Sequence, residues 1–337
     1  MVEMKDLPWE KLSGCNILVT GATGLIGSCL VDVLMTNPNR DYHVYALGRN
    51  EKRAQARFMQ FKDNPSFHFL SGDVTLPLAT NEPFHFIIHA ASNGSPNFFA
   101  TKPVEIMKSN IYGVANLIEY GLQHDLKRFL YVSTGEVYGV NEAAILDETS
   151  YGYVDILNTR SCYPSSKRAA ETLAMCYAGE YEADVVVARP CHTYGPQFTE
   201  SDNRVYAQFI RNVLNGDDIV MKSAGTQYRS WCYVDDCVSA LLYILLKGQS
   251  GEAYNIADKS SVVTIRELAE MIAHIAGRKV MMQVPSDSEK KGFTPIKRAV
   301  FDTSKLEALG WTVSGSMEEK LRRTIDICRL NDQGTDK

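Results

Sequence analysis

The sequence has no CxxC pair, no His/Cys grouping at zinc-site spacing and no stretch of 18 uncharged apolar residues. Those absences exclude a structural zinc module and a membrane-spanning helix. Basic residues are not in excess either. Against 40 Asp and Glu stand 35 Lys and Arg, a formal charge of -5, so no global positive field gathers nucleic-acid phosphates or anionic lipid. The opening MVEMKDLPWEKLSGCNILVTG mixes acids with bases and carries no Arg-rich apolar signal core. A cytoplasmic protein without membrane insertion and with no nucleic-acid polymer as partner is expected. The eight cysteines, Cys15, Cys29, Cys162, Cys176, Cys191, Cys232, Cys237 and Cys328, are scattered, and are expected as reduced, packed thiols with no bound metal.

What is present is length and apolar content. The 337 residues, 45% of them hydrophobic, provide for one large or two fused domains. Asn16–Thr20 is an almost continuous apolar strand, followed by the glycine turn GATGLIG and the helical SCLVDVLMTN. Strand-like runs recur at 43–48, 67–72, 84–91, 128–139 and 183–190, separated by helical segments that begin at Pro103 and Tyr163. That alternation predicts an α/β fold, a doubly wound parallel sheet covered by helices on both faces. After Pro190 the regularity fails. Residues 192–203 read as loop, 204–216 as helix, 218–223 as a short strand, and 228–248 as a strand or turn leading into a helix. Thr264 is expected to cap a further helix, with Glu267 as its capping-box partner. Residues 1–190 are therefore assigned to a dinucleotide-binding domain with a return near 228–248, residues 191–227 and 249–330 to a smaller, discontinuous substrate-binding region, and 331–337 to a flexible tail. A ligand cleft is expected between the regions, above the carboxyl ends of the strands.

Gly21, Gly24 and Gly27 stand between a predicted strand and helix, where missing side chains let backbone amides approach a pyrophosphate. The second strand ends in Leu47-Gly48-Arg49-Asn50, without the acid that grips a free ribose hydroxyl, so Arg49 is a candidate for a 2′-phosphate. Asp73, after the third strand, is placed for the adenine edge or for a local turn. Tyr163 and Lys167 share one helix face, an arrangement in which an ammonium can stabilise a phenolate. Thr134 supplies a hydroxyl that can align a substrate alcohol beside that tyrosine.

GATGLIG, HAAS, Asn110, STGEVYG, YPSSK and RPCHTYGP together resemble the extended short-chain dehydrogenase/reductases that act on nucleotide sugars, over nearly the whole chain. RSCYPSSKRAAETL, SDNRVYAQFI and GTQYRSWCYVDD are most similar to UDP-glucuronate decarboxylases and dTDP-glucose 4,6-dehydratases. The resemblance implies a Rossmann-like fold and an NAD- or NADP-dependent enzyme that oxidises C4 of a nucleoside-diphosphate sugar, with decarboxylation as the leading reaction and 4-epimerisation, 4,6-dehydration or 4-keto reduction as alternatives. A non-catalytic cofactor-dependent binding protein is the alternative from outside enzymology. The resemblance further implies that Thr134, Tyr163 and Lys167 form a catalytic triad, that Tyr163 is the base with its pKa lowered by Lys167, and that Glu136 is an acid/base group. The cofactor surface is expected to comprise Gly21, Thr23, Gly24, Leu25, Ile26, Gly27, Arg49, Asp73, Val74, His89, Ala90, Ala91 and Asn110, together with Tyr163 and Lys167. Arg229, Arg204 and His192 are implied at the substrate diphosphate, with Arg160, Ser92 and Ser95 near the sugar. Gly135 departs from the family pattern, since dehydratases place an aspartate there and decarboxylases a serine. That departure leans away from dehydration. Relatives dimerise through the helices flanking the Tyr/Lys region, so a homodimer is expected.

Overall fold

In the computed structural model the described residues are 4, 6–38, 40–284 and 296–335, with side chains to Asn331. In chain order the strands are β1 (Cys15–Thr20), β2 (Tyr42–Gly48), β3 (Phe67–Ser71), β4 (Phe86–His89), β5 (Arg128–Val132), β6 (Val185–Pro190), β7 (His192–Tyr194), β8 (Ile219–Met221), β9 (Tyr228–Tyr233), β10 (Ala253–Ile256), β11 (Asp258–Thr264), β12 (Val280–Met282) and β13 (Arg298–Ala299). The helices used below are α1 (Leu25–Thr36), α2 (Glu51–Arg57), α3 (Pro96–Thr101), α4 (Pro103–Leu122), α5 (Cys162–Tyr181), α6 (Val205–Leu214), α7 (Val234–Lys247) and α8 (Ile265–Ala276).

The fold is a Rossmann-like doubly wound sheet. Seven strands run in the order β10-β6-β5-β4-β1-β2-β3, every neighbouring pair parallel. Parallel pairing forces a crossover after each strand, and the crossovers bury both faces. The pleat then sorts the side chains. Ile17 and Val19 of β1 join the core that includes α1 and α7, while Leu18 joins the one that includes α4 and α5. Helix α7 is apolar nearly all round and is buried on every side. The direction of winding reverses between β1 and β4, which opens a crevice at their carboxyl ends.

The remaining strands form a second sheet around β9, which pairs β11 on one side and β7 and β13 on the other, and a two-stranded β8–β12 ladder. Three local readings change. The run expected as a strand to residue 139 stops at Val132 and tightens into a 3-10 turn at Gly135–Tyr138, with Thr134 as its cap. Residues 192–194, read as loop, pair with β9. Residues 253–256 return to extend the main sheet beside β6. Both additions are short strands that exist only through distant partners, and neither carries a periodic signal. The Thr264 capping box is present with both of its reciprocal bonds. None of the eight cysteines forms a disulfide. No helix among the described residues is long and apolar enough to cross a membrane. The C-terminal helix runs over Met317–Thr335, into the segment expected as a tail, and residues 336–337 of that tail lie outside the described residues.

One buried cation ties this helix to the rest. Lys320 Nζ lies 2.7 Å from Asp236 Oδ2 at the start of α7 and 3.3 Å from Asp258 Oδ2 at the start of β11. Burial raises the Asp236 pKa, against which the Lys320 ammonium and the Ser314 donors hold the charge. Removing Lys320 leaves two buried carboxylates facing each other. Lys320→Ala is expected to cost about 3–5 kcal/mol in chemical denaturation; a loss typical of a surface lysine would contradict this account of the anchor.

Candidate active site

The crevice begins at the turn between β1 and α1. Gly21 adopts φ 66°, and a Cβ there would lie 2.7 Å from the Ala90 carbonyl oxygen, so the ends of β1 and β4 touch backbone to backbone. A Cβ on Gly27 would come within 2.3 Å of the Gly21 carbonyl oxygen. Helix α1 starts at Leu25 on the Gly24 cap with no side-chain hydrogen bond. The first-turn amides of Leu25, Ile26 and Gly27 are therefore the donors of a helix N-terminus with no side chain in front of them. This cradle fits a dinucleotide pyrophosphate. Thr23 turns its carbonyl to the guanidinium of Arg53, 2.8 Å away, a contact the sequence reading did not anticipate.

Arg49 and Asp73 come together at the end of the sheet's β2–β3 edge, 3.7 Å apart, but Arg49 bonds more tightly to Glu105 of α4, at 2.8 Å. Asp73 also caps its own turn, accepting the Thr75 amide and hydroxyl at 2.9 Å each. Val74 is buried beneath, its carbonyl accepting from Asn116. His89 points into the interior, not the crevice. Its Nδ1 is 2.7 Å from the Thr20 hydroxyl, which itself accepts the Ala91 amide, and burial pushes the imidazole pKa down to about 3. The ring is neutral, and it is the backbone of Ala90 and Ala91 that faces the glycine turn.

Helix α5 presents the Tyr163 and Lys167 pair. Lys167, 2% exposed, donates from Nζ to the Val132 carbonyl at 2.8 Å and lies 4.6 Å from the centre of the Tyr131 ring. Burial pushes its pKa down to about 7. Asn110 of α4 is fully buried. It donates to the Ser166 hydroxyl at 2.9 Å, and Ser166 in turn donates to the Cys162 carbonyl, which fixes the first turn of α5. Tyr163 stacks on Phe99 with ring centres 4.7 Å apart. Burial, with the Glu136 charge adding to it, pushes the Tyr163 phenol up to about 12, opposed by the Thr134 hydrogen bond and by the charges of Arg204 and Arg160. The expected lowering by Lys167 is thus replaced by a phenol that burial holds protonated, with Thr134 and two arginines working against that burial.

At the mouth of β5 the 3-10 turn brings Glu136 to Arg160. Both carboxylate oxygens accept from the guanidinium, with Nη2 to Oε1 at 3.0 Å. Arg160 also lies 5.2 Å over the Phe99 ring, so guanidinium, phenyl and the Tyr163 phenol form one stack. Arg229, 2% exposed, approaches from β9. Burial lowers its pKa to about 10, with the Glu136 charge opposing, so it stays charged at neutral pH. Among the described residues it donates to neutral carbonyls, those of Tyr228 and Ile296. Arg204 is compensated by Asp202, with Nε 2.9 Å from Oδ1. His192 is exposed, its ring tilted against Trp231 at 5.2 Å. Ser95 donates to Asn203, whereas the buried Ser92 hydroxyl has no hydrogen-bond partner among the described residues. Glu105, Arg53, Ser166, Phe99 and Asn203 are the participants the sequence did not single out. Each is defined by a partner from another element, and no motif spans the two.

A model of the NAD dependent epimerase/dehydratase family matches residues 17–257. UDP-glucuronic acid decarboxylase 6 of Arabidopsis thaliana is 34% identical over 326 residues, covering 94% of this chain and 90% of that protein. A dTDP-glucose 4,6-dehydratase from Streptomyces venezuelae, solved with NAD bound, superposes with a TM-score of 0.83 at 25% identity over 95% of this chain and 98% of its own. UDP-glucose 4-epimerase from Thermotoga maritima, solved with UDP-glucose, gives 0.79 at 25% identity over 94% and 99%.

The buried lysine makes stability depend on pH. Between its folded value of about 7 and its ordinary 10.5, unfolded Lys167 holds a proton that folded Lys167 has released. Stability from this group therefore rises with pH through that window and is lost as pH falls through its lower end. Lys167→Met is expected to be the more stable protein at about pH 6 in urea denaturation and to lose about half of that advantage by about pH 9. A difference constant with pH would contradict the lysine's burial.

Proposed function

The chain belongs to the NAD dependent epimerase/dehydratase family, and from that premise we propose that it oxidises C4 of a nucleoside-diphosphate sugar through bound NAD, with decarboxylation of UDP-glucuronate as its reaction. The observation that carries this reading is the charge count around Glu136. Arg160 grips the carboxylate on both oxygens, and the buried Arg229, whose charge Glu136 also supports, donates among the described residues to carbonyls. Two permanent cations against one carboxylate favour a second carboxylate, and a sugar acid brings one.

Gly21, Gly24, Gly27 and the first amides of α1 would hold the pyrophosphate, and Tyr163 and Lys167 would face the nicotinamide end. When bound, the nicotinamide accepts the hydride from C4. Thr134 would orient the C4 hydroxyl toward Tyr163, which takes its proton in the phenolate form that Thr134, Arg204 and Arg160 favour. The C5 carboxylate then stands β to a ketone. Its bond to C5 breaks, carbon dioxide leaves, the electron pair stays as the C4–C5 enolate, and a proton goes to C5. Glu136, once Arg160 has turned toward the substrate and the carboxylate has taken a proton from solvent, would deliver that proton to C5. Return of hydride to C4 and of the proton from Tyr163 closes a redox-neutral cycle.

NAD over NADP is supported at Arg49, which Glu105 and Asp73 already neutralise, so that a 2′-phosphate would meet two carboxylates. The homodimer is supported by Val104, Met107 and Tyr112, exposed apolar residues of α4. Epimerisation at C4 is the second reading. It needs Thr134, Tyr163 and Lys167 without a free Glu136, and the double hold of Arg160 on Glu136 favours it.

Incubation with UDP-glucuronate and NAD is expected to release carbon dioxide and yield UDP-xylose or its 4-keto precursor by mass spectrometry. A product that keeps every carbon and is inverted only at C4 gives the epimerase instead. Glu136→Gln is expected to lower decarboxylation about 100-fold while C4 oxidation falls less. Glu105→Gln is expected to narrow the preference for NAD over NADP in direct binding measurements, and an unchanged ratio would contradict the assignment at Arg49.

A further inference from the structure

Gly135 lies between Thr134 and Glu136, and the space its side chain would take is filled from the far end of the chain. A Cβ on Gly135 would lie 2.0 Å from Cζ and 2.5 Å from Cε2 of Phe301. That ring is buried and fixed. It meets Tyr138 edge-on at 5.5 Å between ring centres and packs with Val137, Leu146 and Ala257. Its backbone is held on both sides, because the Leu146 amide donates to the Val300 carbonyl at 2.7 Å and the Asp302 amide donates to the Leu146 carbonyl at 2.9 Å. The Phe301 amide itself donates to the Ser230 hydroxyl at 3.1 Å, beside Arg229. The backbone that carries the ring is thus tied to β9 and to Leu146, and the ring is packed among Val137, Tyr138, Leu146 and Ala257.

We propose that Phe301 is a specificity-determining residue: its ring stands in for the side chain that position 135 lacks and keeps a third proton donor out of the turn between Thr134 and Glu136. The proposal rests on the reading above that a 4-keto sugar forms at this turn. Chemistry at the neighbouring carbons then divides by proton supply. Elimination of a C6 hydroxyl as water requires an acid for the departing oxygen, with C5 losing its proton and C6 receiving the hydride taken from C4. Loss of carbon dioxide from C5 has no departing oxygen to protonate. An apolar ring where a hydroxyl or carboxyl would stand closes the first route and leaves the second open.

The test is a cycle of Gly135→Asp, Phe301→Ala and the double variant, read by melting temperature and by the products formed from UDP-glucose with NAD. Gly135→Asp alone is expected to lower the melting temperature by roughly 3–10 °C through overpacking, and Phe301→Ala to restore much of that loss in the double variant. The double variant is expected to form a nucleotide sugar lighter by one water, which the parent protein does not form. Gly135→Ser in the same two backgrounds serves if the aspartate variants do not fold. Melting losses that simply add would overturn the stand-in. A restored melting temperature with no dehydrated product would overturn the specificity role. Neither reading uses UDP-glucuronate, so failure of the parent protein to decarboxylate that substrate would count against the proposed reaction alone.

Discussion

Two guanidinium groups and one carboxylate meet where β5 ends, and the behaviour of the cleft follows from that imbalance. Glu136 is fully engaged by Arg160, so its charge is offset where it stands. Arg229 is different. It is taken out of water and, among the described residues, donates to carbonyls alone, a costly state unless an anion completes it. The same charges act on the chemistry. Glu136 disfavours the Tyr163 phenolate, Arg160 favours it, and Arg160 touches both the carboxylate and the Phe99 ring on which the tyrosine stacks. An incoming carboxylate that draws Arg160 away from Glu136 would therefore alter the acid and the base together.

The sheet supplies the precision. Lys167 is anchored on the last carbonyl of β5, Asn110 and Ser166 clamp the first turn of α5, and Thr134 caps the turn that carries Glu136. These four contacts set helix α5 against the strand end, so the proposed reacting groups hang from regular elements on both sides. Precision of this kind is what a proton transfer needs, because misplacement by an ångström costs orders of magnitude in rate. The second sheet reaches the same place through Arg229 on β9 and Phe301 beyond β13, which makes the smaller region part of the site and more than a cover over it.

Much of this was legible in the sequence where the signal is local. The glycine turn, the alternation of apolar strands with helices, the Tyr163/Lys167 spacing and the Thr264 capping box each occupy a few adjacent residues, and each appears where the pattern placed it. Long-range partners were not legible. Glu105 claims Arg49 from another element, β7 and β10 are strands only because β9 and β6 are beside them, and Phe301 fills the space at Gly135 from the other end of the chain. Arg160 was placed near the sugar, but its grip on Glu136 could not be read from residues 24 apart. The Tyr163 phenol was expected to be lowered by Lys167. Burial instead raises it, against Thr134, Arg204 and Arg160, while the Lys167 ammonium donates to the Val132 carbonyl.

The central claim is that the cleft, as formed by the described residues, is one carboxylate short, and calorimetric titration of the NAD-loaded protein with UDP-glucuronate and UDP-glucose side by side tests it most directly. The two ligands share the nucleotide and differ at C6, so their difference isolates the sugar carboxylate. The account predicts that UDP-glucuronate binds at least about tenfold more tightly, roughly 1.4 kcal/mol, with the gap closing in Arg160→Ala. Equal affinities in the parent protein would contradict it.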